Sequence, residues 1–239
     1  MDLIILCGGK GTRLATITEG KQKCSLEVNG KPFILHIIDT IAKNFPIRSV
    51  CLCVGHASQD IISIDFSEYT NKGIEVRFSI ETESLGTGGA VKQAIATKTF
   101  GPEIMICNGD SICDITNLRD EYILLPKTNT AGIIASASIA KSQRYGTLVV
   151  SNNKIKDFIE KKKNSTNGII NAGIYILNKM IIQELIKEKL EKNFSLEKDI
   201  FPYLVEIYDL YIASPTDTFI DIGIPEDFVR ASNFIESKI

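Results

Sequence analysis

The sequence contains 239 residues, of which 44% are hydrophobic and 23% are charged, and its formal net charge at pH 7 is −2. This length allows one large α/β domain, and the near-neutral charge argues against general nucleic-acid binding, which needs a basic surface. The apolar runs are too short to span a membrane. We expect no cleaved signal peptide, because the first apolar run is short and leads directly into glycines.

A short apolar run followed by a glycine-rich loop is the first predicted element. Residues 3–7 predict a buried strand, and Gly8, Gly9 and Gly11 follow it. Glycine lets a phosphate approach backbone N–H groups closely, and Arg13 adds a guanidinium suited to phosphate oxygens. The segment therefore indicates a site for a nucleoside triphosphate, although many glycine-rich turns only change the direction of the chain.

This loop differs from two common phosphate-binding motifs. Leu14 stands where the dinucleotide-binding fingerprint needs a third small residue. No Lys-Ser or Lys-Thr pair follows the last glycine, as a P-loop requires. The loop therefore predicts neither a dinucleotide site nor a P-loop.

The first half of the chain alternates apolar runs with helical patterns. Such alternation predicts a parallel sheet covered on both faces, with ligands bound beyond the carboxyl ends of its strands. Strands are predicted at residues 3–7, 49–54, 74–79 and 103–107, and helices at residues 32–43, 58–64 and 88–97.

The second half contains more strands with fewer helices between them. This pattern indicates an antiparallel or mixed extension of the sheet that forms the acceptor side of a cleft. We see no linker or repeat, so we expect one domain. Strands are predicted at residues 131–140, 146–150, 155–159 and 169–177, and helices at residues 179–192 and 225–236.

Two aspartates are candidate metal ligands. Asp110 follows a predicted strand directly, at the place where a Mg²⁺ ligand beside a phosphate loop would stand. Asp221 has apolar neighbours on both sides, so a buried carboxylate there needs a partner or a metal. The alternative for Asp110 is a turn that it makes with Gly109. Together the two aspartates could share one Mg²⁺.

A second glycine-rich segment and several lysines complete the candidate site. Gly88 and Gly89 lie in a loop that could press against a base or sugar, or could only allow close packing of the next helix. Lys23 follows the first loop, and a lysine aimed at phosphates would neutralise charge in a transfer reaction. Lys161 follows a predicted strand beside Glu160, in a lysine run that could also be a solvated loop.

These segments together resemble the sugar-1-phosphate nucleotidyltransferases. The resemblance covers most of the chain and is closest to the D-glycero-D-manno-heptose 1-phosphate guanylyltransferase branch. One departure is that the family usually has Lys-Pro where this chain has Lys23-Cys24. The resemblance is carried by residues 8–14, Lys23, residues 85–90, 108–110, 160–161 and 171–173, Asp221 and Gly223, and for the branch also by residues 195–199 and 219–228.

The resemblance implies roles for individual residues. The residues implied to bind the nucleotide are Leu6, Gly8, Gly9, Gly11, Thr12, Arg13, Lys23, Gly88, Gly89, Asn108 and Gly109. Those implied to bind the sugar phosphate are Gly146, Glu160, Lys161, Asn171 and Gly173. Asp110 and Asp221 are implied to bind Mg²⁺, and Arg13, Lys23, Asp110 and Lys161 to be catalytic.

The resemblance also implies a fold and an activity. The fold is a Rossmann-like three-layer α/β domain with a mostly parallel central sheet, in which residues 1–115 bind the nucleotide and residues 116–239 the sugar phosphate. The reaction is nucleotidyl transfer, with GTP and D-glycero-D-manno-heptose 1-phosphate as the favoured pair. UTP, dTTP or CTP with a hexose 1-phosphate, and a non-catalytic nucleotide-binding homologue, remain alternatives. We expect a cytoplasmic protein without a nucleic-acid partner, and a homodimer is the assembly to test.

Overall fold

The computed structural model describes residues 1–9, 11–139, 145–159 and 168–238, and a nine-stranded sheet forms its centre. The strands of the described residues are β1 (Asp2–Cys7), β2 (Glu27–Val28), β3 (Lys31–Pro32), β4 (Ser49–Val54), β5 (Glu75–Ile80), β6 (Glu103–Asn108), β7 (Ser111–Cys113), β8 (Thr130–Ile139), β9 (Thr147–Ser151), β10 (Lys154–Ile159), β11 (Gly168–Asn178), β12 (Asp209–Ile212) and β13 (Phe219–Asp221). The strand order in the large sheet is β5-β4-β1-β6-β11-β8-β12-β10-β9.

Helices cover both faces of this sheet. They are α1 (Ala15–Thr18), α2 (Phe33–Asn44), α3 (Gln59–Ile62), α4 (Ser67–Thr70), α5 (Gly86–Thr97), α6 (Thr116–Ile123), α7 (Lys179–Lys187), α8 (Phe201–Ile207) and α9 (Pro225–Lys238). Short 3₁₀ turns lie at Thr12–Leu14 and Lys23–Ser25, and a π-helical turn at Leu196–Ile200 precedes α8. Among the residues described, no helix combines the length and the apolar character needed to cross a lipid bilayer.

The sheet is parallel from β5 to β6 and mixed beyond. β1 pairs parallel with β4 and with β6, and β4 pairs parallel with β5. β11 then runs antiparallel to both β6 and β8, and β12 pairs parallel with β8. The predicted parallel first half and mixed extension are both confirmed.

Alternating side chains of the central strands build two separate cores. On β1, Leu3 and Ile5 belong to a core that includes α2, whereas Ile4 belongs to a core that includes α5, α7 and α8. Because successive side chains of a strand point to opposite faces, the two cores lie on opposite faces of the sheet. This arrangement confirms the predicted three-layer α/β architecture. All six cysteines are buried thiols, as small apolar residues of such cores often are.

Two predicted helices have different bounds in the structure. The helix predicted at residues 32–43 starts at Phe33, because Pro32 is extended and ends β3. The helix predicted at residues 179–192 ends at Lys187, because the following segment turns back so that Phe194 packs against α5. The sequence did not predict α6, α8 and β12. These elements are short, so their apolar residues repeat only a few times at the spacing of a helix or of a strand.

Candidate active site

Two pockets adjoin at the carboxyl edge of the parallel strands. The small pocket, of about 240 Å³, is lined by Gly8, Gly9, Lys23, Glu81 and Asp110 among others. The large pocket, of about 660 Å³, is lined by residues including Arg13, Gly146, Asn171, Tyr175, Glu197 and Asp221. Thr87 and Asn108 line both pockets and form the wall between them. The predicted position of the site, beyond the carboxyl ends of the strands, agrees with this placement.

The first glycine loop leaves the end of β1 and borders the small pocket. A Cβ atom on Gly8 would lie 2.5 Å from a carboxylate oxygen of Glu81, so a side chain there would displace this carboxylate. Gly11 has a φ of +59°, a conformation that favours glycine. Arg13 follows in the 3₁₀ turn with an exposed side chain, and it borders the large pocket rather than the small one. Leu6 and Asn108, predicted to bind the nucleotide, also line the small pocket.

Lys23 and Asp110 form an ion pair in the small pocket. The ammonium group contacts the Oδ2 atom of Asp110, and only 15% and 23% of the two side chains are exposed. Burial by itself lowers the pKa of Lys23, but the negative charges of Asp110 and Asp221 outweigh burial, so that this pKa lies above its usual value. Lys23 therefore remains a fixed positive charge at the place where phosphates would bind.

The small β7–β13 ladder brings Asp110 and Asp221 to the same place. Ser111 pairs with Asp221, and the backbone N–H of Ile222 donates a 2.9 Å hydrogen bond to the carbonyl oxygen of Asp110. One carboxylate oxygen of Asp221 accepts a 2.6 Å hydrogen bond from the N–H of Gly223. The ladder therefore joins two aspartates that lie far apart in the sequence, as the shared-metal prediction requires.

This pair of carboxylates is chemically suited to a hard divalent cation, which prefers oxygen ligands. Asp110 already attracts the ammonium group of Lys23. Within the described ranges, no three His, Cys, Asp or Glu side chains cluster in a way that could hold a metal by themselves. A cation held by the two aspartates would therefore need further oxygens from water or from a bound phosphate.

The second glycine segment packs against residues 192–194. The N–H of Gly88 donates a 2.9 Å hydrogen bond to the carbonyl oxygen of Phe194, and a Cβ on Gly88 would clash with the Phe194 ring. A Cβ on Gly89 would clash with the carbonyl oxygen of Lys192. Close packing thus accounts for both glycines. Of residues 85–90, Gly86, Thr87 and Ala90 line the small pocket.

A partly buried hydrogen-bond network forms one side of the large pocket. The Oε2 atom of Glu197 accepts hydrogen bonds from Thr87 at 2.6 Å and from Ser195 at 2.7 Å, and its Oε1 atom accepts one from Tyr175 at 3.1 Å. The amide nitrogen of Asn171 donates to the Tyr175 hydroxyl at 2.9 Å. Burial raises the pKa of Tyr175 well above its usual range, so this hydroxyl stays protonated. The network therefore holds the side chains of Thr87, in the wall between the two pockets, and of Asn171 in place.

Two further predicted glycines allow close approaches in the wall between the pockets. Gly173 has a φ of +79°, and a Cβ there would lie 2.5 Å from the side-chain nitrogen of Asn108. The N–H of Gly109 donates a 3.0 Å hydrogen bond to the carbonyl oxygen of Leu6, which ties β1 to the turn that carries Asp110. Both glycines therefore shape the site through its backbone.

Some residues that the sequence predicts for the site lie outside the described residues. Other residues line the site but were not predicted from the sequence. Glu160 and Lys161 lie outside the described residues, and the side chain of Thr12 is not described. Sequence reasoning missed Gln22, Glu81, Thr87 and Glu197. Glu81 could have been found, because it directly follows β5 at the edge where the other strands end.

A family model described as nucleotidyl transferase matches residues 3–238. The chain is 33% identical over 249 residues to the D-glycero-alpha-D-manno-heptose 1-phosphate guanylyltransferase of Aneurinibacillus thermoaerophilus, with full coverage of both chains. It is 35% identical over 231 residues to the enzyme of the same name from Campylobacter jejuni, covering 95% of this chain and 97% of that one.

Other relatives are longer than this chain. The chain is 33% identical over 229 residues to the mannose-1-phosphate guanylyltransferase catalytic subunit beta of Drosophila pseudoobscura, and the match covers 95% of this chain but 60% of that relative's length. Among solved structures, HddC from Yersinia pseudotuberculosis complexed with GMP-PN superposes with a TM-score of 0.77 at 30% identity, covering 97% of this chain and 98% of HddC.

Proposed function

The chain belongs to the nucleotidyl transferase family, and from that premise we propose that it transfers a guanylyl group from GTP to a sugar 1-phosphate. The favoured acceptor is D-glycero-D-manno-heptose 1-phosphate, the substrate in the names of two relatives that match along nearly their whole length. The products are a nucleotide-sugar and pyrophosphate.

The observation that carries this proposal is the pair of adjoining pockets with one aspartate in each. The small pocket offers glycine backbone and Lys23 to a triphosphate, and the large pocket offers polar side chains to a sugar phosphate. Asp110 lines the first pocket and Asp221 the second, and the β7–β13 ladder joins them. A phosphorus atom in the small pocket and an attacking oxygen in the large one would therefore meet beside Asn108.

The reaction needs no general base, because the attacking phosphate is already ionised at neutral pH. A non-bridging oxygen of the sugar phosphate forms a bond to the α-phosphorus of GTP. The bond from the α-phosphorus to the oxygen that it shares with the β-phosphorus breaks, and pyrophosphate leaves with the electron pair. Lys23 neutralises phosphate charge, and both pockets hold the reactants in line, which is the main source of rate enhancement in such transfers.

We also propose that Mg²⁺ is the metal of the site, since family members generally use a divalent metal. Asp110 and Asp221 would hold it, and two carboxylates beside phosphate oxygens suit this cation. When bound, Mg²⁺ would neutralise charge on the phosphates and help to orient them. Glu160 and Lys161 keep their proposed roles at the sugar and its phosphate.

Glu81 is our proposed reader of the guanine base. Its carboxylate is half-buried in the small pocket, burial raises its pKa, and Oε2 accepts a 3.2 Å hydrogen bond from the N–H of Leu85. Guanine presents two adjacent donors, N1–H and the 2-amino group, and a carboxylate can accept from both. Uracil and thymine present one donor between two carbonyl oxygens, which a carboxylate would repel. Leaving a buried acceptor unpaired gives strong discrimination.

A pyrophosphate-release screen tests the proposed pair of substrates. GTP, UTP, dTTP and CTP are each combined with heptose 1-phosphate, mannose 1-phosphate and glucose 1-phosphate, and kcat/KM is measured. We expect GTP with the heptose 1-phosphate to give the highest value. If UTP or dTTP gives the highest value, the base assignment is wrong while nucleotidyl transfer stands. If no pair releases pyrophosphate, the transferase proposal itself fails.

Location and assembly remain predictions. A cytoplasmic enzyme would have direct access to nucleoside triphosphates, and fractionation with an antibody tests this. A homodimer is tested by light scattering on the purified protein. We further propose that residues 1–115 serve the nucleotide and residues 116–239 the sugar phosphate within one domain.

A further inference from the structure

Gln22 is a buried side chain that contacts the first glycine loop of the candidate active site at two points and the segment that follows β4 at a third. Only 1% of this residue is exposed. Its side-chain nitrogen donates to the carbonyl oxygen of Cys7 at the end of β1, to that of Gly9 at 3.1 Å and to that of His56 at 3.2 Å. All three partners are carbonyl acceptors, so the group that faces them must be the NH₂ group rather than the amide oxygen.

These hydrogen bonds determine which way the glycine loop presents its backbone. In a trans peptide, the carbonyl oxygen of one residue and the N–H of the next point in opposite directions. Because the Cys7 carbonyl points at Gln22, the Gly8 N–H points away from Gln22. A phosphate-binding loop needs this orientation, since its carbonyl oxygens must turn away from the anion and its N–H groups toward it.

The same residue fixes the backbone that carries Lys23. The backbone N–H of Gln22 donates a 2.7 Å hydrogen bond to the Oδ2 atom of Asp60 in α3, and its carbonyl oxygen accepts a 2.7 Å hydrogen bond from the hydroxyl of Ser25. Lys23 and the buried Cys24 then form the 3₁₀ turn. Gln22 therefore holds this turn in a chain that has Cys24 where the resembling family usually has proline.

We propose that Gln22 is a positioning residue that fixes the glycine loop and the Lys23 backbone in the conformation that binds a triphosphate. This inference rests on the proposed function, because it takes the small pocket as the nucleotide pocket. Without the amide donor, three backbone carbonyls would lose a partner, and it is costly to leave the buried one, that of Cys7, without a partner. The loop would then rearrange, and triphosphate binding would weaken while the side of the large pocket that β11 forms with Asn171 and Tyr175 stays intact.

The experiment compares two Gln22 variants with a matched control. Gln22→Met keeps the size of the side chain and removes the amide, and Gln22→Glu keeps the shape and replaces the donor by an acceptor. Thr40→Val is the control, because Thr40 is buried in α2, away from both pockets, and its hydroxyl also donates to a backbone carbonyl, that of His36, at 2.8 Å. The measurements are Tm, KM for both substrates, and the Kd for GTP and for inorganic tripolyphosphate.

We expect the Gln22 variants to raise the KM and Kd for GTP by about tenfold or more, with the KM for the sugar phosphate within about twofold of wild type. Thr40→Val should leave both KM values unchanged even where its Tm falls. Equal changes for both substrates, or changes that follow Tm in all three variants, would overturn the inference and leave Gln22 a purely structural residue.

Two further measurements separate the inference from the proposed function. If the wild type binds tripolyphosphate but not GTP, the proposed function fails, and the effect of Gln22→Met on tripolyphosphate binding decides the inference. If neither Gln22 variant folds, NMR on the wild type decides it. The side-chain amide signals of Gln22 should shift when GTP is added and stay in place when only the sugar phosphate is added. Unshifted signals with GTP would contradict the inference.

Discussion

Lys23 and Asp110 are 87 residues apart in the sequence and form a mostly buried ion pair between the 3₁₀ turn at Lys23–Ser25 and the turn after β6. The pair places a fixed positive charge against a carboxylate that also suits a metal ion. Substrate binding would let Lys23 exchange one anionic partner for another, since phosphate oxygens can replace the Asp110 carboxylate. The ion pair thus keeps both side chains in place before the substrates arrive.

Removing either aspartate should abolish most turnover. Asp110→Asn and Asp221→Asn each delete a charged oxygen ligand, and we expect kcat to fall by about 10²–10³-fold, which corresponds to several kcal/mol of transition-state stabilisation. Both variants should remain folded, although Asp110→Asn removes the anion that pairs with Lys23 and should lower Tm. Asp217→Asn is the control, because Asp217 is exposed and lies four residues before Asp221. A near-normal kcat for either variant at ordinary Mg²⁺ concentration would contradict the hypothesis that the two aspartates share a metal ion.

Glu81 should read the 2-amino group of guanine. ITP has the N1–H of GTP but lacks this amino group, so the wild type should prefer GTP over ITP in kcat/KM by about tenfold, the value of one hydrogen bond to a charged acceptor. In Glu81→Gln this preference should disappear, so that kcat/KM becomes nearly equal for GTP and ITP. Glu83→Gln is the control, because Glu83 is exposed and pairs with Lys192 at 2.7 Å. An unchanged GTP preference in Glu81→Gln would show that another group reads the base.

Lys161 should serve the acceptor rather than the triphosphate. The prediction comes from the sequence, where Lys161 follows Glu160 and precedes Asn171. Lys161→Ala should raise the KM for the sugar phosphate, with a loss of about 1.5–3 kcal/mol for a charge-assisted contact, and should change the KM for GTP much less. Lys156→Ala, an exposed lysine of β10, is the control. An equal rise in both KM values would contradict this assignment.

Asp2 should stabilise the fold in a pH-dependent way. Burial alone would raise its pKa, but hydrogen bonds from Arg48, from the Gly101 N–H at 2.6 Å and from Ser49 at 2.7 Å outweigh burial and lower the pKa to about 2. Because this value lies below the unfolded value of 3.8, the stabilisation is fully present above about pH 4 and is lost as the pH falls toward 2.

Unfolding of Asp2→Asn by urea should show this dependence directly. At pH 7 the variant should have a lower midpoint than wild type. The difference should shrink between pH 4 and pH 2.5, because in this range Asp2 of the unfolded wild-type chain takes up a proton while Asp2 of the folded protein is still mostly ionised. Asp217→Asn, at an exposed site, should show no such trend. A difference that stays constant over this pH range would mean that the charge of Asp2 does not contribute to stability.

The sequence was sufficient for those parts of the site that depend on local pattern. The run before Gly8 is long enough to predict β1, and a glycine loop or an aspartate at the end of a strand is visible without tertiary information. The parallel sheet follows from the alternation of strands and helices, which also placed the glycine loop and Asp110 at the same edge.

The missed residues act through partners that are distant in the sequence. Glu197 matters because its carboxylate reaches Thr87, 110 residues away, and Gln22 because its amide reaches the carbonyl of His56. No local pattern predicts such a contact. Gly88 and Gly89 show the reverse case, because only the tertiary structure reveals their packing against Phe194 and Lys192. Their contact with the nucleotide stays a prediction.

Mass spectrometry of the products is the most direct test of nucleotidyl transfer. The protein is incubated with Mg²⁺, GTP and D-glycero-D-manno-heptose 1-phosphate, and each substrate is also supplied alone. We expect GDP-heptose and pyrophosphate in a one-to-one ratio, formed only when both substrates are present. Release of GDP and phosphate, or of GMP and pyrophosphate without any nucleotide-sugar, would contradict guanylyl transfer to a sugar phosphate.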